Sequence, residues 1–122
     1  MTTKDQKRKD QQRTDPRLQT IIKINDTLRT TFFTFGGHKV VLTPGISESP
    51  DKEDIITAVR EFNSFDLFND PHGEHDFGKV TVNNNEYFWK IDYYDDKLEY
   101  GLDPYKHPRC RRVLTIMSVG EY

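Results

Sequence analysis

The sequence predicts an α+β domain, with a mostly antiparallel sheet of about five to six strands and two helices packed on one face. Three observations carry this. Asp15-Pro16 and Ser49-Pro50 each place a helix-start signal before apolar residues at helical spacing. Several β-rich runs are separated by Gly-Gly, Asn-Asn-Asn and Asp-Asp-Lys turns. The resulting order, α-ββ-α-β-β-β-β, contains no internal repeat.

Residues 1–14 are rich in Lys, Gln, Asp and Thr and lack a strongly apolar side chain after Met1. Such a segment cannot repay the entropy of folding, so a disordered basic tail is expected over 1–14 and a single α+β domain over 15–122. At Asp15 a carboxylate can cap free N–H groups, and Pro16 suits the first helical position. Leu18, Ile21, Ile22 and Leu28 fall near one face, with Ile24 at its edge, predicting a helix to about Arg29. Thr30–Phe35 and His38–Leu42 flank Gly36-Gly37, which reads as a tight hairpin. Ser49-Pro50 opens a second helix, with Asp51, Glu53 and Asp54 favoured in its first turn by the helix dipole. Ile55, Val59 and Phe62 line one side, and the helix is expected to end near Asn63. Phe65, Leu67 and Phe68 are expected to pack a loop onto the core.

Asn69–Gly78 follows, holding His72, Glu74, His75, Asp70 and Asp76 between Pro71, Gly73 and Gly78. Lys79–Val82 and Glu86–Tyr94 then read as a hairpin about the triple Asn. In the longer strand Tyr87, Trp89, Ile91 and Tyr93 form the better core face. A short strand is expected at Leu98–Tyr100 and a loop over 101–108. The last strand, Arg112–Val119, is apolar on both faces in its middle, which suits a central position.

Composition bounds the function. The chain has 122 residues, 34% of them hydrophobic and 31% charged, with eight Phe, six Tyr and one Trp. That fits a soluble domain whose few large rings supply much of the burial. The formal charge of −2 neither requires nor excludes a nucleic-acid partner. It is unevenly spread: Lys4, Lys7, Arg8, Lys9 and Arg13 outweigh Asp5 and Asp10 in the tail. One cysteine, Cys110, fits a reducing compartment. No apolar run approaches the roughly 20 residues of a membrane span, and the N-terminus lacks the apolar core of a signal peptide. The expected location is cytoplasmic, without membrane contact.

Chemistry concentrates in Asn69–Gly78. His72, Glu74, His75 and Asp76 are candidate ligands for a divalent metal or candidate acid–base groups, although their spacing matches no helical zinc motif. The same residues also suit turn formation and capping. No cofactor is expected otherwise. A second candidate is a nucleic-acid surface of Lys106, His107, Arg109, Arg111 and Arg112, with Tyr105 able to stack on a base. A third is a protein interface drawn from the abundant aromatics. Cys110 has His107 and basic neighbours that could lower a thiol pKa, although a lone cysteine in a loop is more often inert.

Several of these stretches resemble one family. They are Val40–Gly45, Asn69–Gly78, Phe88–Asp95, Leu98–Gly101 and Arg112–Met117 with Glu121-Tyr122. Together they look like DUF3768, a family of small bacterial proteins, and the likeness covers about residues 17–122. The resemblance implies an occurrence in proteobacteria, often in plasmid, phage or other mobile-element settings, and implies no particular reaction. The loop after Gly101 looks shortened relative to that pattern, and the basic tail is extra. The resulting expectation is an accessory protein of a mobile element that binds a macromolecule, with inhibition of a host nuclease-based defence as the specific form. Its expected binding surface is Asp70, His72, Glu74, His75 and Asp76 with Asp92, Asp95 and Asp96. The alternative is a metal-dependent hydrolase or nuclease built on the His72–Asp76 loop.

Overall fold

The computed structural model describes residues 15–122. The expected tail lies outside the described residues.

Helix α1 (Pro16–Thr31) starts where the sequence signals it. The Asp15 carboxylate accepts the Arg17 N–H at 2.9 Å, and Pro16 occupies the first turn. The helix runs past Arg29 through two β-branched threonines. Their hydroxyls donate to the carbonyls of Asp26 and Thr27, one turn back, each at 2.6 Å. The helix stops at Phe32, which turns left-handed (φ 56°) and returns its N–H to the Leu28 carbonyl.

The predicted hairpin across Gly36-Gly37 is therefore absent. Thr30 and Thr31 belong to α1, and only β1 (Lys39–Leu42) forms a strand. The two glycines do adopt positive φ, but they turn the chain towards a distant partner. A short helix, α2 (Pro44–Ser47), and then α3 (Lys52–Arg60) follow. The expected second helix over 49–63 is thus shorter at both ends. Phe65 packs on the core, but Leu67 and Phe68 do not, and Phe68 is 98% exposed.

The sheet contains β2 (Phe77–Val82), β3 (Asn85–Tyr94) and β4 (Arg111–Ser118) as well as β1, in the order β1-β4-β3-β2. It has four strands, not five to six, and it is mixed. β2–β3 and β3–β4 are antiparallel, whereas β1 lies parallel to β4. Leu98–Tyr100 makes no strand; the chain there makes only an isolated bridge between Tyr94 and Gly101. The β2–β3 hairpin forms as expected, because Asn83 and Asn84 both accept positive φ (50° and 66°). β4 is paired on both sides, as its apolar middle foretells. A 3-10 turn (Val119–Glu121) ends the chain.

Three helices, not two, supply apolar residues to one face. Leu28, Ile46, Ile55 and Val59 share a cluster with Val80, Tyr87, Trp89, Ile91, Leu114 and Ile116. In register, Gly78, Trp89 and Ile116 lie side by side, with Ile91 and Leu114 next along. Trp89 is fully buried and meets Phe62 edge to face at 5.5 Å. Gly78 makes room for it: a Cβ there would lie 2.4 Å from the indole nitrogen. The opposite face carries Phe77, Phe88 and Met117, with the Tyr122 ring 5.3 Å from Phe88.

Candidate functional site

Asn25 occupies the apolar stripe of α1 together with Leu18, Ile21 and Leu28, and it is fully buried. A buried amide requires partners, and Asn25 has three. It donates to the Glu74 carbonyl and to the Tyr93 hydroxyl, each at 2.9 Å, and accepts from Arg112 Nε at 2.9 Å. The Tyr93 hydroxyl lies 2.9 Å from Glu74 Oε2 and 3.3 Å from Asp76 Oδ2, between the two carboxyls. Arg112, paired across the sheet with Tyr93, lies over that ring at 5.2 Å. Its guanidinium also donates to the carbonyls of Pro108 (2.7 Å) and Cys110.

Charge in this cluster is set by burial. Glu74 is 8% exposed and its pKa is pushed up to about 7, first by burial and then by its hydrogen bond with Asp76 and that residue's charge. Glu74 therefore keeps its proton through the mildly acidic range and gives it up only around neutral pH. Burial also raises Asp70, whose carboxylate accepts the His75 N–H at 3.1 and 3.2 Å. His75 takes a left-handed conformation (φ 57°), stacks flat on Phe65 at 3.8 Å, and places Nδ1 3.0 Å from Asp26 Oδ1. Asp26 meets Arg29, whose buried guanidinium donates to the carbonyls of Val59 and Phe62 and lies 5.1 Å over Trp89. The segment from Asp70 to Asp76 is thus fastened to α1 and β3 by its own polar groups.

The residues read as one site from sequence therefore separate. Gly73 (φ 69°) and His75 reverse the chain, so that Glu74 turns inward while His72 stays exposed and bonds to no described residue. Asp92 lies on the other face of the sheet, 3.1 Å from Lys90. Asp95 accepts the N–H groups of Lys97 and Glu99 in a turn. Asp96 is exposed beside Arg111, at 3.9 Å. Among the described residues no group of three or more His, Cys, Asp and Glu side chains could hold a metal ion. His72, Glu74, His75 and Asp76 do not form the expected ligand set, because the turn splits them. A carboxyl whose pKa is pushed up to about 7 has acid–base character, yet Glu74 and its neighbour Asp76 line neither of the surface hollows described next.

Those hollows lie along the exposed side of α1. One, of about 660 Å³, runs between Pro16, Arg17 and Thr20 and the loop carrying Asp95, Asp96, His107 and Arg109. The other, of about 380 Å³, continues from Thr20 and Arg109 past Lys23 and His38 to Phe33 and Phe35. Shared lining residues make them one groove. Two of the expected basic residues contribute here, His107 and Arg109. Arg112 does not, because it is fully buried in the network above. Tyr105 is not a free stacking ring either, since Arg17 lies over it at 5.5 Å. Burial raises the Cys110 thiol, against the lowering expected from its basic neighbours.

Sequence reasoning missed Asn25, Arg29, Phe33 and Phe35. For Asn25 a signal existed, a polar residue within an apolar helical stripe. Phe33 and Phe35 were assigned to a strand that does not form.

No helix among the described residues is long and apolar enough to cross a membrane. No curated protein and no solved structure matches the chain. The pattern of DUF3768, described as a protein of unknown function, matches residues 42–121. That span includes the Asp70–Asp76 segment and three strands of the sheet, and leaves out α1 and the Phe33–His38 turn. The chain belongs to the DUF3768 family.

Proposed function

We propose that this protein acts by binding another macromolecule along the α1 groove rather than by catalysis. One observation carries the reading. Asp70, Glu74, His75 and Asp76 are engaged within the fold, as in the Tyr93–Glu74 bond at 2.9 Å, whereas the inner groove keeps Lys23, Arg109 and two large aromatic rings exposed. Exposed aromatics beside unpaired charge are the composition of a contact surface. Asp95 and Asp96 of the expected binding set remain part of it, at the 660 Å³ end. The narrower role, an accessory protein of a mobile element that inhibits a nuclease-based defence, is a proposal supported by the settings the family resemblance implies. A small protein with one long groove is compatible with such a role.

The test is capture of a partner from the native host by the wild-type protein, Lys23→Ala/Arg109→Ala and His72→Ala. The reading expects the partner to be lost with the groove variant and kept with His72→Ala. The reverse pattern would move the site to the exposed loop tip. The metal-dependent alternative draws on residue types alone, and elemental analysis of untagged protein tests it. Stoichiometric metal that disappears in His72→Ala and His75→Ala would revive it.

A further inference from the structure

We propose that the inner end of the groove, formed by Lys23, His38, Arg109, Phe33 and Phe35, binds single-stranded nucleic acid. The proposal rests on the reading of the groove as a macromolecular contact surface and names the class of its partner.

Three features select this occupant. The first is charge. The 380 Å³ hollow is lined by Lys23 and Arg109 and by no carboxylate. Both cations are exposed and neither is paired with a described residue. The protein as a whole is weakly acidic, so this local excess is set against the average and favours a polyanion. In sequence, Lys4, Lys7, Arg8, Lys9 and Arg13 precede α1.

The second feature is the ring pair. Phe33 and Phe35 stack on each other, with centroids 5.9 Å apart and planes 29° from parallel, and they are 57% and 81% exposed. Phenylalanine faces left in water beside free cations suit planar bases, which stack without sequence preference. A duplex hides its base faces, and a carboxylate-rich peptide has none to offer. The third feature is His38. Its Nδ1 accepts the Arg112 N–H at 3.0 Å, so the ring proton sits on Nε2. Burial and the nearby Arg112 and Arg111 hold its pKa below the ordinary value. His38 therefore lines the hollow as a neutral hydrogen-bond donor suited to a phosphate or base oxygen.

The outer end sets a direction. There Asp95 and Asp96 face Arg17 across the hollow, and Arg17 is already bound to Asp15 at 2.8 and 3.1 Å. That end offers phosphates no net attraction. A strand is held at Lys23 and Arg109 and stacked at Phe33 and Phe35.

Fluorescence anisotropy with a labelled oligothymidylate and the full chain tests this, with polyglutamate as a polyanion lacking bases and a hairpin duplex as a competitor. The expected result is binding to the single strand that the duplex and polyglutamate displace poorly. Phe33→Ala/Phe35→Ala is expected to weaken it about tenfold or more. Lys23→Ala/Arg109→Ala is expected to weaken it and to flatten its salt dependence by roughly one phosphate contact per cation removed. All four side chains are at the surface, and unchanged thermal unfolding shows that the variants fold. Failure of the wild-type chain to bind oligothymidylate at low salt overturns the proposal, as does equal binding by the Phe variant. Capture of a protein partner from nuclease-treated lysate separates the two failures. If that capture depends on Lys23 and Arg109 while the oligonucleotide does not bind, the groove is a binding surface and its partner is not nucleic acid. If neither binds, both readings fall.

Discussion

Replacing Glu74 with glutamine separates the two protonation states of the buried carboxyl pair. In the folded protein Glu74 holds its proton up to about pH 7, because burial and Asp76 disfavour a second charge. A carboxyl with a raised folded pKa binds the proton more tightly folded than unfolded. Its contribution to stability is complete below the unfolded value of 4.5 and is lost as pH rises to about 7. That interval corresponds to at most about 3 kcal/mol, at roughly 1.4 kcal/mol per pH unit. Glu74 keeps some contact with solvent, which screens the effect, so about 1–3 kcal/mol is expected. Glutamine has nearly the shape of the protonated acid. Its amide donates to Asp76 and its oxygen accepts from Tyr93, so the contacts survive without the charge. Urea unfolding of both proteins from pH 5 to pH 8 measures the effect. Glu74→Gln is expected to match the wild type near pH 5 and to exceed it at pH 8 by that amount. Asp70 is raised in the same direction, so a smaller slope persists in the variant. Parallel curves, or a variant less stable at every pH, would refute the argument.

Other substitutions probe the frame around the pair. Arg112→Met leaves the Asn25, Pro108 and Cys110 oxygens without their donor and is expected to cost about 2–3 kcal/mol in urea unfolding; unchanged stability would remove Arg112 from the network. Gly78→Ala drives a Cβ against Trp89 and Phe62, at 2.4 and 2.8 Å. A loss of about 1–3 kcal/mol is expected, with a changed emission from Trp89, the chain's one tryptophan. Glu121 accepts from Thr43 Oγ1, the Gly45 N–H and the Ser118 N–H and hydroxyl, and these bonds lower its pKa to about 2. Its contribution is present above 4.5 and fades as pH falls towards 2. Glu121→Ala is expected to speed amide exchange at Gly45 and Ser118 at neutral pH, and equal rates would rule out that tether.

What the residues disclosed in advance was local. The α1 start at Asp15-Pro16, the Asn83-Asn84 turn and the apolar middle of β4 depend on capping, on tolerance of positive φ and on two-faced burial. Each is decided by neighbours in sequence. The Thr30–Phe35 run misled because two threonine hydroxyls bond back into the helix, so β-branched residues extend α1 instead of leaving it. β1 was placed correctly as a strand but given the wrong partner. Its pairing with β4 joins Lys39 to Val113, and no local signal encodes so distant a contact. The acids and histidines of Asn69–Gly78 were legible in two roles, as candidate ligands and as structural groups. Their bland role as caps and turn formers is the one that Asp70 performs at the His75 N–H. Only the burial of Asn25 and Arg112 shows why the acids face inward.

Hydrogen–deuterium exchange across the full chain, with and without its bound partner, tests the central claim most directly. If the protein works by binding along the α1 groove, protection on binding concentrates in residues 19–38 and 102–110. Protection confined to residues 69–76, or to the sheet face bearing Phe88 and Met117, would contradict it.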